Sequence, residues 1–303
     1  MLRCSVVIPT YNRDRLLRFT LQALARQTLP AAEFEVLVCD DGSTDETRTV
    51  VDEFAGRLPI RYFHQEKREG FGASSARNLG IRAARGETCV LLDCGVLPHS
   101  GLLQAHVDSH ASATGPLALI GYVYCLMINP DPEGAAEMNA TLDFDDVDRS
   151  IGLLRANGRW PDIRDQYYAK YGEDFGRQPA PWAIYWTCNV SAPTALLREI
   201  GMFDESLRTW GGEDLDVGYR LYRAGAYFAV NRAAAALHVP HERESKQGEG
   251  SNYEYLAAKY GTPITALLRE FESLDVHPFN INDVIRERGL PSCDEFEGRV
   301  AAR

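Results

Sequence analysis

The chain has 303 residues, of which 45% are hydrophobic and 25% are charged, and its formal net charge is −11 at pH 7. This length and composition favour a globular protein with a large core over a disordered chain, because a chain of this size buries roughly 75% of its unfolded surface. The negative charge argues against nucleic acid or an anionic membrane surface as the main partner, since both repel an acidic protein.

The cysteines and the N-terminus narrow the protein class further. The seven cysteines are scattered and form no C-x-x-C pair, which argues against a disulfide framework or a zinc knuckle. The first residues do not resemble a signal peptide, and no apolar run reaches about 18 residues. We therefore expect a cytoplasmic protein without a transmembrane segment.

Short apolar runs in the N-terminal third predict strands. Residues 4–9, 34–39 and 88–92 are rich in Val and Leu and are bounded by turn residues, and residues 60–63 are a weaker candidate. Such runs are typical of strands that are buried on both faces.

Helical patterns lie between these strands. Leucines spaced i, i+4, i+7 from Leu17 indicate one helix. Ser43 and Glu46 have the spacing of a capping box before a second helix. Residues 75–84 predict a third helix that Gly86 ends. Strands that alternate with helices imply right-handed βαβ units and a mainly parallel sheet.

The second half of the chain is less regular. It predicts strands at residues 117–127, 186–191 and 227–237, and a helix that begins with acidic residues at 212–223. Residues 129–180 are polar, acidic and aromatic, with helices near 147–156 and 164–171, and we interpret them as an insertion that covers a site. A helical tail is expected after about residue 251.

Polar residues follow three of the predicted strands. Ligands of open parallel sheets bind beyond the carboxyl ends of the strands, so we expect the three turns to meet in one site. These turns supply an aromatic ring for stacking, a cation for phosphate, and carboxylates for a base edge, ribose or metal. Such groups suit a nucleotide site. Each turn taken alone is also compatible with helix capping or packing. The candidate residues are Pro9, Thr10, Tyr11, Arg13, Asp41 and Asp93.

Four segments resemble the N-terminal half of family 2 glycosyltransferases, which have the GT-A fold. They are SVVIPTYNR, VCDDGSTDET, GASSARNLGIRAARGE and LLDCGVLP, and they cover about residues 4–110 in the order and spacing of the family. The resemblance implies an α/β fold of the nucleotide-diphospho-sugar transferase type. Its mainly parallel central sheet would be flanked by helices, with a helical insertion and a C-terminal helical tail.

The same resemblance implies roles for individual residues. The nucleotide would contact Pro9, Thr10, Tyr11 and Arg13 in the first turn. Asp41 would bind the uracil edge, Arg77 of the ARN motif would lie near the donor diphosphate, and Asp93 would be the first acid of the D-x-D motif. The implied donor is therefore a nucleotide sugar.

The D-x-D motif departs from the family pattern at its second acid. Gly95 stands where the family has the acid that holds a divalent metal, Mn²⁺ or Mg²⁺, and glycine has no side-chain ligand. By resemblance, His238 occupies the place of the metal-ligating histidine of the family. One expectation is a divalent cation held by Asp93 and His238. The alternative is that Arg77 or another cation stabilises the leaving diphosphate.

A second resemblance lies in the C-terminal half. The segment WGGEDLD, which begins at Trp210, is similar to the WGGEDxD segment of GT-A galactosyltransferases and chondroitin-polymerising enzymes. Glycines let backbone approach a ligand closely, and a helix N-terminus stabilises acids. The resemblance implies that Asp214 is the catalytic base and that Glu213 helps to hold the acceptor. Trp210, Gly211 and Gly212 would border the acceptor sugar, although acids in a first turn also simply cap helices.

Together these features predict an inverting glycosyltransferase. It would move a sugar from a nucleoside-diphosphate sugar, UDP-sugar being the commonest donor of the family, to a hydroxyl of a glycan or small-molecule acceptor. The transfer would be a direct displacement with Asp214 as general base. Residues 1–115 would bind the nucleotide sugar, 116–250 would bind the acceptor and carry catalysis, and 251–303 would form a helical extension.

Three alternatives remain open at this stage. The first is a non-catalytic nucleotide-sugar-binding relative, for which the degraded motif at Gly95 is the reason. The second is a nucleotidyltransferase, against which the absence of a glycine-rich loop after the first strand counts. The third is a scaffold protein that uses the acidic segment 129–180 as its interaction surface.

Overall fold

The computed structural model describes residues 2–126, 132–241, 249–273 and 275–296. Within these residues, strands from both halves of the chain form one eight-stranded sheet in the order β3-β2-β1-β4-β7-β6-β8-β5. The strands are β1 (Cys4–Thr10), β2 (Phe34–Asp40), β3 (Ile60–His64), β4 (Thr88–Leu92), β5 (Val96–Pro98), β6 (Leu117–Tyr124), β7 (Asn189–Pro193) and β8 (Tyr227–His238).

Helices flank the sheet. They are α1 (Asp14–Leu24), α2 (Thr47–Phe54), α3 (Ala73–Ala83), α4 (Leu102–Ser112), α5 (Pro132–Thr141), α6 (Val147–Asn157), α7 (Asp165–Tyr171), α8 (Thr194–Glu199), α9 (Glu213–Arg223), α10 (Glu249–Tyr260), α11 (Pro263–Ala266) and α12 (Ile281–Glu287). Two 3₁₀ segments span Pro181–Ile184 and Leu267–Ser273. In the described parts of the chain, no helix combines the length and apolar character needed to cross a membrane.

The core has two layers, one on each face of the sheet. Successive side chains of a strand point to opposite faces, and β1 shows this directly. Val6 and Ile8 belong to the apolar cluster that includes residues of α1 and α2, whereas Val7 belongs to the cluster that includes residues of α3 and α9. Burial on both faces explains the unbroken apolar runs of β1, β2 and β4. The four strands predicted in the N-terminal third, β1 to β4, are confirmed.

The sheet is mixed rather than purely parallel. Four pairings are parallel: β1 with β2 and β4, β2 with β3, and β6 with β8. Strand β7 runs antiparallel to β4 and β6, and β5 runs antiparallel to β8. Apolar periodicity indicates that a strand is buried but not which way it runs, so these reversals were not predictable from the pattern.

Two strand boundaries predicted in the second half were wrong. Strand β6 ends at Tyr124, because Cys125 has a φ of 60° that an extended strand does not allow; Met127 lies outside the described residues, as do residues 129–131 of the predicted insertion and 297–303 of the tail. Strand β7 begins at Asn189, three residues later than predicted. Apolar composition made the preceding segment resemble a strand.

The predicted capping box was also wrong. Helix α2 begins at Thr47, whose backbone N–H donates to Asp45 Oδ1 at 3.1 Å. Ser43 Oγ instead accepts a hydrogen bond from the backbone N–H of Asn12 at 2.8 Å. This bond ties the turn after β2 to the turn after β1, which draws Ser43 away from the helix.

Gly86 does not end α3 as predicted. The helix ends at Ala83, and the backbone becomes extended at Ala84. A Cβ added at Gly86 would lie 2.3 Å from the carbonyl carbon of Cys4. The glycine is therefore required by the close approach of this loop to β1.

Candidate active site

The turns after β1, β2 and β3 meet in a polar cluster around the buried Asp41. The carboxylate of Asp41 is buried and accepts hydrogen bonds from Gln65 Nε2 at 2.5 Å and from Lys67 Nζ at 2.6 Å. The ammonium group of Lys67 also lies 4.3 Å from the ring centroid of Tyr11. A Cβ added at Gly72 would lie 1.9 Å from Asp41 Oδ2, so only glycine lets the start of α3 approach this carboxylate.

Cys94 links the first turn to the turn after β4. Thr10 Oγ1 donates to Cys94 Sγ at 3.7 Å, and Cys94 Sγ donates to the carbonyl oxygen of Arg13 at 3.7 Å. Arg13 is half-buried and lies immediately before α1. Asp93 precedes Cys94 in the chain, so the three strand-end turns lie along one rim of the sheet, as predicted.

Arg77 joins this rim to the C-terminal half of the chain. Its side chain is almost completely buried on α3, and its Nη2 donates to Asp93 Oδ1 at 2.8 Å. Its Nη1 lies 3.7 Å from Glu213 Oε1, at the first residue of α9. The ring of Phe203 packs 5.3 Å from the guanidinium carbon. The structure therefore brings Asp93 and Glu213 to different nitrogens of one guanidinium group.

The start of α9 presents two acids in succession. Gly211 and Gly212 have φ values of 92° and 90°, which glycine adopts readily, and α9 begins directly after them. Glu213 is buried, whereas Asp214 is half-buried and its Oδ1 accepts a hydrogen bond from Thr187 Oγ1 at 2.6 Å. The helix N-terminus also favours negative charge at this position.

Burial raises the pKa of both acids. The raised pKa of Glu213 is due first to burial and then to the neighbouring Asp214 charge, while Arg77 opposes it. Burial also raises the pKa of Asp214, and Arg77 and the bond from Thr187 limit that rise. A helix N-terminus alone would keep Asp214 ionised and make it a weaker base, but burial acts in the opposite direction and raises its pKa.

Helix α10, in the C-terminal part of the chain, holds the loop that precedes these acids. Asn252 is 5% exposed, and its Nδ2 donates to the carbonyl oxygens of Thr209 and Gly211. Farther along α10, Lys259 Nζ donates to Asp216 Oδ1 at 2.6 Å. Trp210 lies in the same loop and is partly exposed. The tail is thus part of the framework of the site.

Sequence reasoning missed several of these residues. Gln65 and Lys67 follow β3, so the rule about strand ends would have found them if residues 60–63 had been given more weight. Thr187 and Asn252 have no such signal. Their partners lie 27 residues or more away in the chain, and only the folded structure brings them together.

Gly95 lies directly before β5, beside the end of β8 that carries His238. His238 is in register with Val96, and the backbone N–H of Val239 donates to the carbonyl oxygen of Gly95 at 2.9 Å. The His238 ring is stacked on that of His241, with centroids 5.1 Å apart. His238 therefore lies beside the altered motif, and its role as a metal ligand stays a prediction.

The donor groups present do not fit the metal site that the D-x-D motif provides. Gly95 has no side chain and a φ of 92°, and an added Cβ would lie 3.3 Å from Leu16 Cδ1. Asp93 already binds Arg77 through Oδ1. Over residues 2–126, 132–241, 249–273 and 275–296, no group of three or more His, Cys, Asp or Glu residues is arranged to hold a metal ion.

Comparison with known proteins identifies relatives of this chain. A family model described as Glycosyl transferase family 2 matches residues 5–121. Validoxylamine A glucosyltransferase of Streptomyces hygroscopicus subsp. limoneus is 39% identical over 240 residues, which cover 79% of this chain and 52% of that protein. Chondroitin synthase of Escherichia coli is 32% identical over 273 residues, covering 82% of this chain and 37% of that protein. The chain thus spans about half the length of the validoxylamine relative.

Solved structures show the same fold. Residues 1–349 of S. aureus TarS in complex with UDP-GlcNAc match with a TM-score of 0.60 and 20% identity, over 88% of this chain and 67% of that chain. The mannosyltransferase PcManGT from Pyrobaculum calidifontis, in complex with GDP-Man and Mn²⁺, matches with a TM-score of 0.56 and 19% identity. The match covers 99% of this chain and 79% of that chain. The predicted GT-A fold is confirmed, and residues 5–121 are the part of this chain that matches the family 2 model.

Proposed function

We propose that this chain is a glycosyltransferase that moves a sugar from a nucleoside-diphosphate sugar to an acceptor hydroxyl with inversion at the anomeric carbon. Asp214 is the general base of this reaction. The observation that carries the proposal is the cluster around Arg77, which joins Asp93 on the nucleotide side to Glu213 on the other side. Asp214 is the next residue along the same helix.

Donor binding is assigned to the rim of strand-end turns. The Tyr11 ring offers a stacking surface for a base, and Asp41 offers a carboxylate for the polar edge of the base. We propose UDP as the nucleotide, with Pro9, Thr10 and Arg13 completing its site. The relative in complex with UDP-GlcNAc supports this choice, although PcManGT is in complex with GDP-Man.

The proposed chemistry is a single displacement. The acceptor oxygen forms a bond to the anomeric carbon while the bond from that carbon to the diphosphate oxygen breaks, and the electron pair leaves with the diphosphate. The acceptor proton passes to Asp214, whose Oδ1 is held by Thr187. Burial raises the pKa of Asp214 and so improves its capacity to accept a proton.

The acceptor would lie beside Thr187 and the glycines of the WGGED loop. Trp186 precedes Thr187, is partly exposed, and packs edge-on against Phe279 with ring centroids 5.9 Å apart. Aromatic rings of this kind form good contact surfaces for the apolar face of a sugar. We therefore propose a glycan or another polyhydroxylated small molecule as the acceptor, bordered by Trp186, Trp210, Gly211 and Gly212.

Product stereochemistry tests the proposal. The chain is incubated with UDP-glucose, UDP-GlcNAc and related donors in the presence of sugar acceptors, and the anomeric proton coupling of the product is measured by NMR. Inversion relative to the donor is expected, because one displacement reverses the configuration. Retention would remove Asp214 from the role of base, since it requires a different reaction course.

A non-catalytic nucleotide-sugar-binding protein is the second candidate, and Gly95 is the observation that favours it. Calorimetric titration with UDP, followed by a screen for slow donor hydrolysis, separates the two. Binding with hydrolysis supports the enzyme, whereas binding without hydrolysis or transfer for any donor supports the second candidate. Consumption of a nucleoside triphosphate with release of pyrophosphate would indicate a nucleotidyltransferase.

A further inference from the structure

The part of the site where a metal is expected holds an ion pair. Arg77 Nη2 donates to Asp93 Oδ1 at 2.8 Å, and the Arg77 side chain is 5% exposed, whereas that of Asp93 is 36% exposed. A guanidinium group cannot lose its proton in a protein, so its positive charge is permanent. The negative charge of Asp93 is therefore already balanced by a cation that the chain itself supplies.

The second negative charge of the motif is absent. A carboxylate at the position of Gly95 would face an incoming diphosphate with a like charge, and a divalent cation would then be needed to offset the repulsion. Gly95 removes that charge. With a φ of 92° and Leu16 Cδ1 only 3.3 Å from an added Cβ, its backbone is also poorly suited to any residue that would restore it.

Glu213 adds less negative charge beside Arg77 than an exposed carboxylate would. Glu213 is buried, its Oε2 has no hydrogen-bond partner among the described residues, and burial raises its pKa. The Nε and Nη1 atoms of Arg77 likewise have no hydrogen-bond partner within the described chain. The guanidinium group thus has hydrogen-bond donors that the described chain does not use.

We infer that this chain binds its nucleoside diphosphate, and lets it depart, without a divalent cation, and that Arg77 is the fixed positive charge of the site. This inference rests on the proposed function. Arg77 acts through Asp93: it neutralises the carboxylate that faces the diphosphate, and with Gly95 the motif itself has no second carboxylate.

The direct test is the affinity of the whole chain for UDP, measured by calorimetry in EDTA and again in millimolar MnCl₂. The inference predicts dissociation constants that agree within about threefold, and no heat of binding for MnCl₂ alone. A UDP affinity that falls by about tenfold or more in EDTA would overturn it. Transfer rates measured under the same two conditions should agree in the same way.

A pair of variants separates charge from backbone strain. Gly95→Asp restores the second carboxylate, and Gly95→Asn has the same shape without the charge, so both share any strain from the positive φ. In EDTA, Gly95→Asp should bind UDP about tenfold more weakly than Gly95→Asn, and MnCl₂ should remove the difference. Equal affinity of the two variants in EDTA would contradict the inference.

Failure of the inference differs from failure of the proposed function. If the chain does not use nucleoside diphosphates, UDP fails to bind both with and without MnCl₂. If only the inference is wrong, UDP binds in MnCl₂ and not in EDTA. The comparison of EDTA with MnCl₂ uses the wild-type chain alone, so it still tests the inference if a substitution at Gly95 prevents folding.

Discussion

Removing the Asn252 side chain is expected to impair sugar transfer without impairing nucleotide binding. This side chain is buried on α10 and donates from Nδ2 to the carbonyl oxygens of Thr209 and Gly211. These two carbonyls fix the loop that leads into Asp214. Asn252→Ala therefore releases the loop at the point where the proposed base is positioned, about 40 residues away in sequence.

The size of the effect follows from the two lost hydrogen bonds. Each contributes about 1 kcal/mol net, and two carbonyl oxygens lose their partner in a buried region, so the free energy of unfolding should fall by about 2–3 kcal/mol. A shift of about 1 Å in a catalytic group costs up to 10²-fold in rate, so we expect the transfer rate to fall by about 10-fold to 10²-fold. The UDP affinity should stay within about threefold of wild type.

Asn282 provides a matched control on α12. It is fully buried and also makes two side-chain hydrogen bonds, accepting from the backbone N–H of Ala180 at 2.7 Å and donating to the Tyr167 hydroxyl at 2.9 Å. Asn282→Ala should lose similar stability in urea unfolding. Its transfer rate, measured where both variants are fully folded, should stay near wild type. Equal loss of transfer in the two variants would refute the assigned role of Asn252.

Two further substitutions test the two ends of the site. Gly72→Ala places a Cβ 1.9 Å from Asp41 Oδ2. It should therefore weaken UDP binding in calorimetry and lower the free energy of unfolding by about 1–3 kcal/mol. Gly56→Ala is the control and should change neither quantity, because nothing lies within 4 Å of an added Cβ there. Thr187→Val removes a hydrogen bond that lowers the pKa of Asp214, so the acid limb of the pH profile of the transfer rate should move to higher pH. Thr187→Ser keeps the hydroxyl and should retain the wild-type pH profile. Unchanged UDP affinity in Gly72→Ala, or an unmoved acid limb in Thr187→Val, would count against these assignments.

The sequence was most informative where local pattern and fold agree. The apolar runs of β1, β2 and β4 are buried on both faces, so composition alone located them. Strand β5 has only three residues, and its place at the sheet edge depends on pairing with β8, so no periodic pattern indicated it. The direction of β7 likewise depends on the path of the long segment between β6 and β7, which no local pattern indicates.

Site residues were predictable to the extent that they lie at strand ends. Tyr11, Asp41 and Asp93 follow β1, β2 and β4, and the rule that ligands bind there makes all three candidates. The contact between Arg77 and Glu213 joins segments that are far apart in the chain. The resemblance named both residues but not their mutual distance, because tertiary contacts of this kind leave no local signal.

The most direct test of the central claim is the transfer rate of Asp214→Asn. Asparagine keeps the shape of the side chain and an oxygen that can accept the bond from Thr187, but it cannot take the acceptor proton. The account predicts UDP affinity close to wild type and a rate of sugar transfer lower by about 10²-fold or more. Near-normal transfer by Asp214→Asn would contradict it.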